Sequence, residues 1–250
     1  MNYKTRSQIA RLANLFRRNV VSPPPSVKEI LADTVSLGVV DQFNKLYYES
    51  GVAGTLSWRG VPLIKNPCDL WMMLELIQQL KPAVLIETGT HHGGSALFFA
   101  EMTRLLGMPC AIVTVDINPK WHVNPENYGI HSIVGYSTDD KVRLKVEGVV
   151  NRLLKENPGP VLVTLDSDHS EENVSRELEL YAPFVTTGSY LIIEDTNVNG
   201  HPVGAKHGPG PWEAVQKFLT LHGEFQQDRE CEKHLLTFFP GGWLRKNGKQ

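Results

Sequence analysis

Four carboxylates and a histidine sit just beyond two apolar runs, in Leu165-Asp166-Ser167-Asp168-His169 and in Ile193-Glu194-Asp195-Thr196. If those runs are neighbouring strands, three or four of the acids converge on one spot. Such a concentration of negative charge is unfavourable without a cation. All-oxygen donors with room for water suit Mg2+, or Mn2+ as a substitute. His169 lies three residues beyond Asp166, close enough to act on a hydroxyl held at such an ion. An imidazole titrating near neutrality is suited to take that proton. Asp168 also reads as a cap, because Ser170, Glu171 and Glu172 open a helical stretch.

A second cluster, Glu87-Thr88-Gly89-Thr90-His91-His92-Gly93-Gly94-Ser95, joins an apolar run to a helical one. Glycines there let the backbone turn tightly and approach a ligand, and the helix amino terminus offers free N–H groups. The spacing is G-x-x-x-G-G rather than the G-x-G-x-x-G of dinucleotide sites, and Glu87 ends the run itself. An acid there suits a ligand bearing a cationic amine better than a pyrophosphate. Asp116, closing Thr114-Val115-Asp116, is positioned to accept both hydroxyls of a ribose, which fits an adenosyl ligand. A solvated turn acid at Glu87 and a loop cap at Asp116 are the plain alternatives.

Both clusters need a scaffold that aligns the ends of several strands. Short β-rich apolar runs at Ala83–Ile86, Ala111–Val115, Ile130–Val134, Val161–Leu165 and Tyr190–Ile193 alternate with helical stretches at 95–106, 140–156 and 171–182. This alternation predicts an α/β fold: a doubly wound, mostly parallel sheet covered on both faces, with ligands at the carboxyl ends of its strands. Residues 41–81 read as helical, and Trp212–His222 as a further helix. Leu235–Phe239 and Gly242–Leu244 read as closing strands, an antiparallel pair at the sheet edge.

Residues 4–18 carry Lys4, Arg6, Arg11, Arg17 and Arg18 around Ile9, Leu12, Leu15 and Phe16 at helical spacing. This basic amphipathic helix, cut off by Pro23, Pro24 and Pro25, is expected to cap its own domain or a dimer mate, or to lie on an anionic membrane surface. The expected organisation is an N-terminal extension over residues 1–35 and one domain over 36–250. With 41% hydrophobic residues and no run long enough to span a bilayer, the chain is expected to be soluble and cytoplasmic. A net charge of -2 without a long basic tract argues against a nucleic-acid partner. The odd set Cys68, Cys110 and Cys231 fits reduced thiols rather than a disulfide framework.

The segments Glu87-Thr88-Gly89-Thr90 with Gly93-Gly94-Ser95, Leu165 through Ser170, and Glu194 through Val203 leading to Gly208-Pro209-Gly210-Pro211-Trp212-Glu213-Ala214 resemble one family. It is that of the cephalosporin hydroxylases and rhamnosyl O-methyltransferases, within the class I S-adenosylmethionine-dependent methyltransferases. The likeness runs from about residue 40 to the C-terminus and is closest to the rhamnosyl branch. It implies a Rossmann-like fold and metal-dependent methylation of a sugar or natural-product hydroxyl. It also implies Asp166, Glu194 and Asp195 as metal ligands, with His169 as general base. Carried over by motif, the cofactor residues are Glu87, Gly89, Thr90, Gly93, Ser95, Asp116, Ser137 and Asp166. The loop from Asn197 to Pro211 reads either as an acceptor-facing lid, with His201 and Trp212 toward the acceptor, or as a rigid surface loop. A nicotinamide-dependent oxidoreductase and a non-catalytic cofactor-binding accessory subunit are the competing readings. Self-association through the N-terminal helix and the aromatic segment after it is expected.

Overall fold

The computed structural model describes Glu29, Ala32 and residues 34–248. The basic segment 4–18 and the proline run lie outside these residues. Over residues 34–248 the first element is α1 (Thr34–Glu49), which crosses the 35/36 boundary drawn from sequence. The expected helix over 41–81 is interrupted. Gly51 and Gly60 take left-handed φ values of 69° and 79°, and a small antiparallel hairpin forms from β1 (Ser57–Trp58) and β2 (Val61–Pro62). Helix formation resumes only at α2 (Pro67–Leu80), where Pro67 pre-sets the first turn and the Asn66 side chain accepts the Cys68 N–H.

From there strands and helices alternate: β3 (Val84–Thr88), α3 (Gly94–Leu105), β4 (Ala111–Asp116), β5 (Ile130–Val134), α4 (Asp140–Glu156), β6 (Val161–Leu165), α5 (Glu171–Tyr181) and β7 (Tyr190–Ile193). α6 (Pro211–Leu221), β8 (Phe225–Gln227) and β9 (Trp243–Lys246) complete the chain. The large sheet has the order β5-β4-β3-β6-β7-β9-β8, with β3 to β7 parallel and β9 antiparallel to both β7 and β8. β3, β6 and β7 are buried along their whole length, which is why each reads as a mostly apolar run. One core layer packs Val146, Val174 and Leu178 on one face; the other packs Met73, Leu76 and Phe99 on the opposite face.

Register decides where the chemistry emerges. Thr88 pairs with Val115 and Leu165, and Leu165 with Ile193, so Gly89, Asp116, Asp166 and Glu194 leave the sheet side by side. The antiparallel edge is real, but its partner strand is β8 rather than Leu235–Phe239. In that run the backbone donors are spent elsewhere: Leu236 on the His234 carbonyl, Phe239 on the Thr237 hydroxyl, and Phe238 on the Asp69 carboxylate at 2.8 Å.

Asp69 is 2% exposed, and burial raises its pKa to about 7 against the hydrogen bonds from Phe238 and Thr237. The folded chain therefore keeps a proton that the unfolded chain has lost between about pH 4 and pH 7, and stability falls as pH rises through that window. Asp69→Asn keeps an acceptor for the Phe238 N–H and cannot ionise. Its melting temperature relative to wild type is expected to be higher at about pH 8 than at about pH 5; an unchanged difference would show that Asp69 ionises freely.

Candidate active site

The turn after β3 approaches its neighbours too closely for side chains. At Gly89, φ is 85° and a Cβ would lie 1.7 Å from the Asp166 carbonyl oxygen. A Cβ on Gly93 would meet the Trp121 ring at 2.2 Å, and one on Gly94 the Pro62 carbonyl at 2.0 Å. These contacts bring the β3–α3 turn, the β6 end and the β2 hairpin around one cavity of about 600 Å3. Gly89, Thr90, Ser95, Asp116 and Ser137 line it on one side, and Asp166, His169 and Asp195 on the other. Gly93 is packed beneath Trp121 and is not in the lining.

Glu87 lies below the cavity floor, fully buried. It accepts the hydroxyls of Ser95 and, at 2.8 Å, Thr114, and burial raises its pKa. It thus fixes Ser95 from behind rather than presenting an open carboxylate. Asp116 accepts the His91 N–H at 2.8 Å and the Asn118 N–H at 2.7 Å. Ser137 and Ser167 bring their hydroxyls to 3.4 Å, and Ser167 donates to the buried carboxylate of Glu177 at 2.7 Å. Asp168 bonds the N–H and hydroxyl of Ser170, while Ser170 itself caps α5, so Asp168 shapes the turn.

The acid cluster divides in two. His169 Nε2 stands 3.3 Å from Asp166 Oδ1 and 3.3 Å from Asp195 Oδ2, and one donor atom from each residue fits within 4.8 Å of the other two. Glu194 faces a different partner. Its Oε2 lies 2.6 Å from Lys65 Nζ and its Oε1 accepts the Thr164 hydroxyl at 2.7 Å, while the same ammonium reaches Asp166 Oδ2 at 2.6 Å. Lys65 remains a cation despite its burial, because Asp166, Glu194 and Glu87 surround it. Burial works against ionisation of Asp166, but Lys65 and His169 hold its carboxyl below the usual range.

The charge state expected for His169 needs correction. Burial pulls its pKa down, but the hydrogen bond with Asp166 and the charges of Asp195, Asp166 and Glu194 outweigh this and bring it to about 9. Below that value the ring is held as an imidazolium, by Asp166 first, while burial raises the carboxyls of Asp195 and Glu194, the latter to about 8. It becomes a base only when the acids are otherwise neutralised.

Neither His201 nor Trp212 lines the cavity. Their rings stack on each other at 4.1 Å and 17°, and His201 Nε2 lies 3.1 Å from Glu213. Lys65 and Glu177 were not anticipated from sequence. The signal for Lys65 was a lone cation closing the apolar run Val61-Pro62-Leu63-Ile64; for Glu177 it was an acid on the same helix face as Val174, Leu178 and Tyr181.

Residues 50–247 match the family described as Rhamnosyl O-methyltransferase/CmcI. The chain belongs to that family. Among relatives, the rhamnosyl O-methyltransferase of Mycobacterium leprae is 34% identical over 208 residues, covering 82% of this chain and 90% of the relative. That of Mycobacterium bovis is 35% identical over 216 residues, covering 84% and 85%. Among solved structures, the apo structure of CmcI-N160 superposes with a TM-score of 0.61 at 18% identity over 78% of each chain, and CmcI-D160 with Mg and SAM at 0.59 and 18% over the same shares. The fold is that of the class I methyltransferases, and this family member is an O-methyltransferase. The matched span contains every cavity residue named above, from Pro62 on the hairpin to Asp195. No helix among the described residues is long and apolar enough to cross a membrane.

Proposed function

We propose that this chain transfers a methyl group from S-adenosylmethionine to a hydroxyl of a rhamnosyl-like sugar or a glycosylated natural product, with a divalent metal, Mg2+ or Mn2+, at the acid cluster. The observation that carries the reading is the meeting of Asp166, His169 and Asp195 in the same cavity as the Gly89–Ser95 turn and Asp116. The donor chemistry fits a hard cation. The carboxylates of Asp166 and Glu194 already close on an ammonium at 2.6 Å, which stands in for one. Asp166, Glu194 and Asp195 would hold the ion. The metal, when bound, supplies positive charge that makes an acceptor hydroxyl more acidic. The adenosyl cofactor, when bound, supplies an electrophilic methyl group.

The protein's own part is placement and proton handling. Asp116 holds the mouth of the turn open through its two backbone N–H bonds and faces the cavity where ribose hydroxyls would sit. Ser95 and Thr90 line the amino-acid end, their hydroxyls oriented by Glu87 and Thr114. His169, between two carboxylates, takes the acceptor's proton once those charges are compensated. Alignment in a cavity of this kind supplies most of the rate.

Calorimetric titration with S-adenosylmethionine and with NADH, each with Mg2+ and with EDTA, tests this reading. Binding of S-adenosylmethionine alone is the expected result. NADH alone would favour an oxidoreductase; cofactor binding with no metal binding at all would favour an accessory subunit.

The loop 197–211 is proposed as the segment that supports the acceptor side, because it follows directly on Asp195; His201 and Trp212 stand outside the cavity lining and, with Glu213, fix its shape on α6. His201→Ala is expected to raise the acceptor KM about tenfold with kcat within twofold, a loss of roughly 1.4 kcal/mol in binding. An unchanged KM would make the loop a passive surface connection. Self-association is proposed through α1, where Val39, Phe43 and Leu46 are more than half exposed, and sedimentation of a monomer would remove that idea. A cytoplasmic location, without nucleic acid as a partner, is part of the same proposal.

A further inference from the structure

We propose that Lys65 is a built-in competitor for the metal: its ammonium occupies the carboxylate oxygens of Asp166 and Glu194, and a divalent ion binds at full strength only by displacing it. This rests on the metal reading above and concerns how that site is controlled. Lys65 Nζ touches Asp166 Oδ2 and Glu194 Oε2, both at 2.6 Å, with a side chain 3% exposed. Asp166 and Glu194 hold the Lys65 ammonium between them, and Asp195 stands across His169 from Asp166. A lysine buried among carboxylates neutralises them in the absence of metal, and the same charge repels an incoming divalent ion.

The local backbone makes this a side-chain event. Lys65 N–H donates to the Leu63 carbonyl at 3.0 Å, and the next residue, Asn66, caps α2. The main chain on both sides is therefore held, and the flexible four-carbon stem is what swings. Lys65 also lines the cavity, so its head can move into open space without unpacking the core. Asp166 is the shared ligand: it joins the lysine pair on Oδ2 and the His169–Asp195 group on Oδ1. Occupancy on one side is thereby felt on the other.

The test is Mn2+ binding to the free protein, read by calorimetry and by loss of the free-ion paramagnetic resonance signal, for wild type, Lys65→Met and Lys65→Gln. Methionine keeps the length of the stem and removes the charge. Removal is expected to tighten Mn2+ binding at least about tenfold and to enlarge the rise in melting temperature that saturating Mn2+ produces. Should Lys65→Met not fold, Lys65→Gln, with a polar head, is held to the same criterion. Failure of both to fold without Mn2+, and recovery with it, would itself show that the ammonium and the ion substitute for each other. Unchanged or weaker Mn2+ binding in a folded variant overturns the competitor role while leaving the metal reading intact. Absence of Mn2+ binding in wild type and variants alike overturns both. Failure of both to fold with or without Mn2+ assigns Lys65 to the architecture and also overturns it.

Discussion

Asp166→Asn is expected to lower methyl transfer by about three orders of magnitude while S-adenosylmethionine binds within a few fold of wild type. Asp166 is the acid on which three groups depend. Lys65 reaches one of its oxygens at 2.6 Å and His169 the other at 3.3 Å, and it is one of the three potential metal donors. An amide preserves the shape of the side chain and the backbone bond from Asp166 N–H to the Thr88 carbonyl at 3.1 Å. It removes the charge that pairs with a cation and that holds the proton on His169. The comparison needs single-turnover methyl transfer and cofactor calorimetry on the same preparation. Loss of cofactor binding together with turnover would put Asp166 in the cofactor subsite instead of the metal site.

Gly89→Ala is expected to destabilise the fold by at least about 4 kcal/mol, at the upper end of single substitutions. Its φ of 85° is one cost, and the added Cβ at 1.7 Å from the Asp166 carbonyl oxygen is the larger one, since the obstacle is backbone and cannot rotate away. Gly60→Ala separates the two. Its φ is 79° but nothing lies within 4 Å of the added atom, so only the conformational cost of about 1–2 kcal/mol remains. Urea denaturation of the two variants measures the difference. Equal losses would show that the β3 turn relaxes without disturbing β6.

The parallel strands were readable because burial on both faces leaves them almost wholly apolar, with Glu87, Thr88 and Thr164 as the buried polar positions in β3 and β6, and the acids were readable because each stands at or just beyond the carboxyl end of such a run. Other features left weaker traces. The β1–β2 hairpin occupies two residues per strand inside an otherwise helical pattern, too short to show a period of two. β8 is three residues long and takes its place from pairing with β9, a tertiary fact. Leu235–Phe239 has the composition of a strand, yet its donors serve Asp69 and local turns. The site shows the same limit. Asp166, His169 and Asp195 could be named from motif, but the imidazolium state of His169 depends on two 3.3 Å separations, and the capture of Glu194 by Lys65 joins residues 129 positions apart.

The segment that closes the sheet also holds the Asp195 turn in place. Ile193 N–H donates to the Gly242 carbonyl, the Thr196 hydroxyl to the Pro240 carbonyl, and Asn197 N–H to the Phe238 carbonyl, so residues on either side of Asp195 are fastened to residues 238–242. During synthesis all five parallel strands leave the ribosome before these fasteners exist. A nascent chain of about 236 residues has no partner for these donors around Asp195. The turn that carries Asp195 is thus fixed only once residues 238–242 have reached the sheet edge.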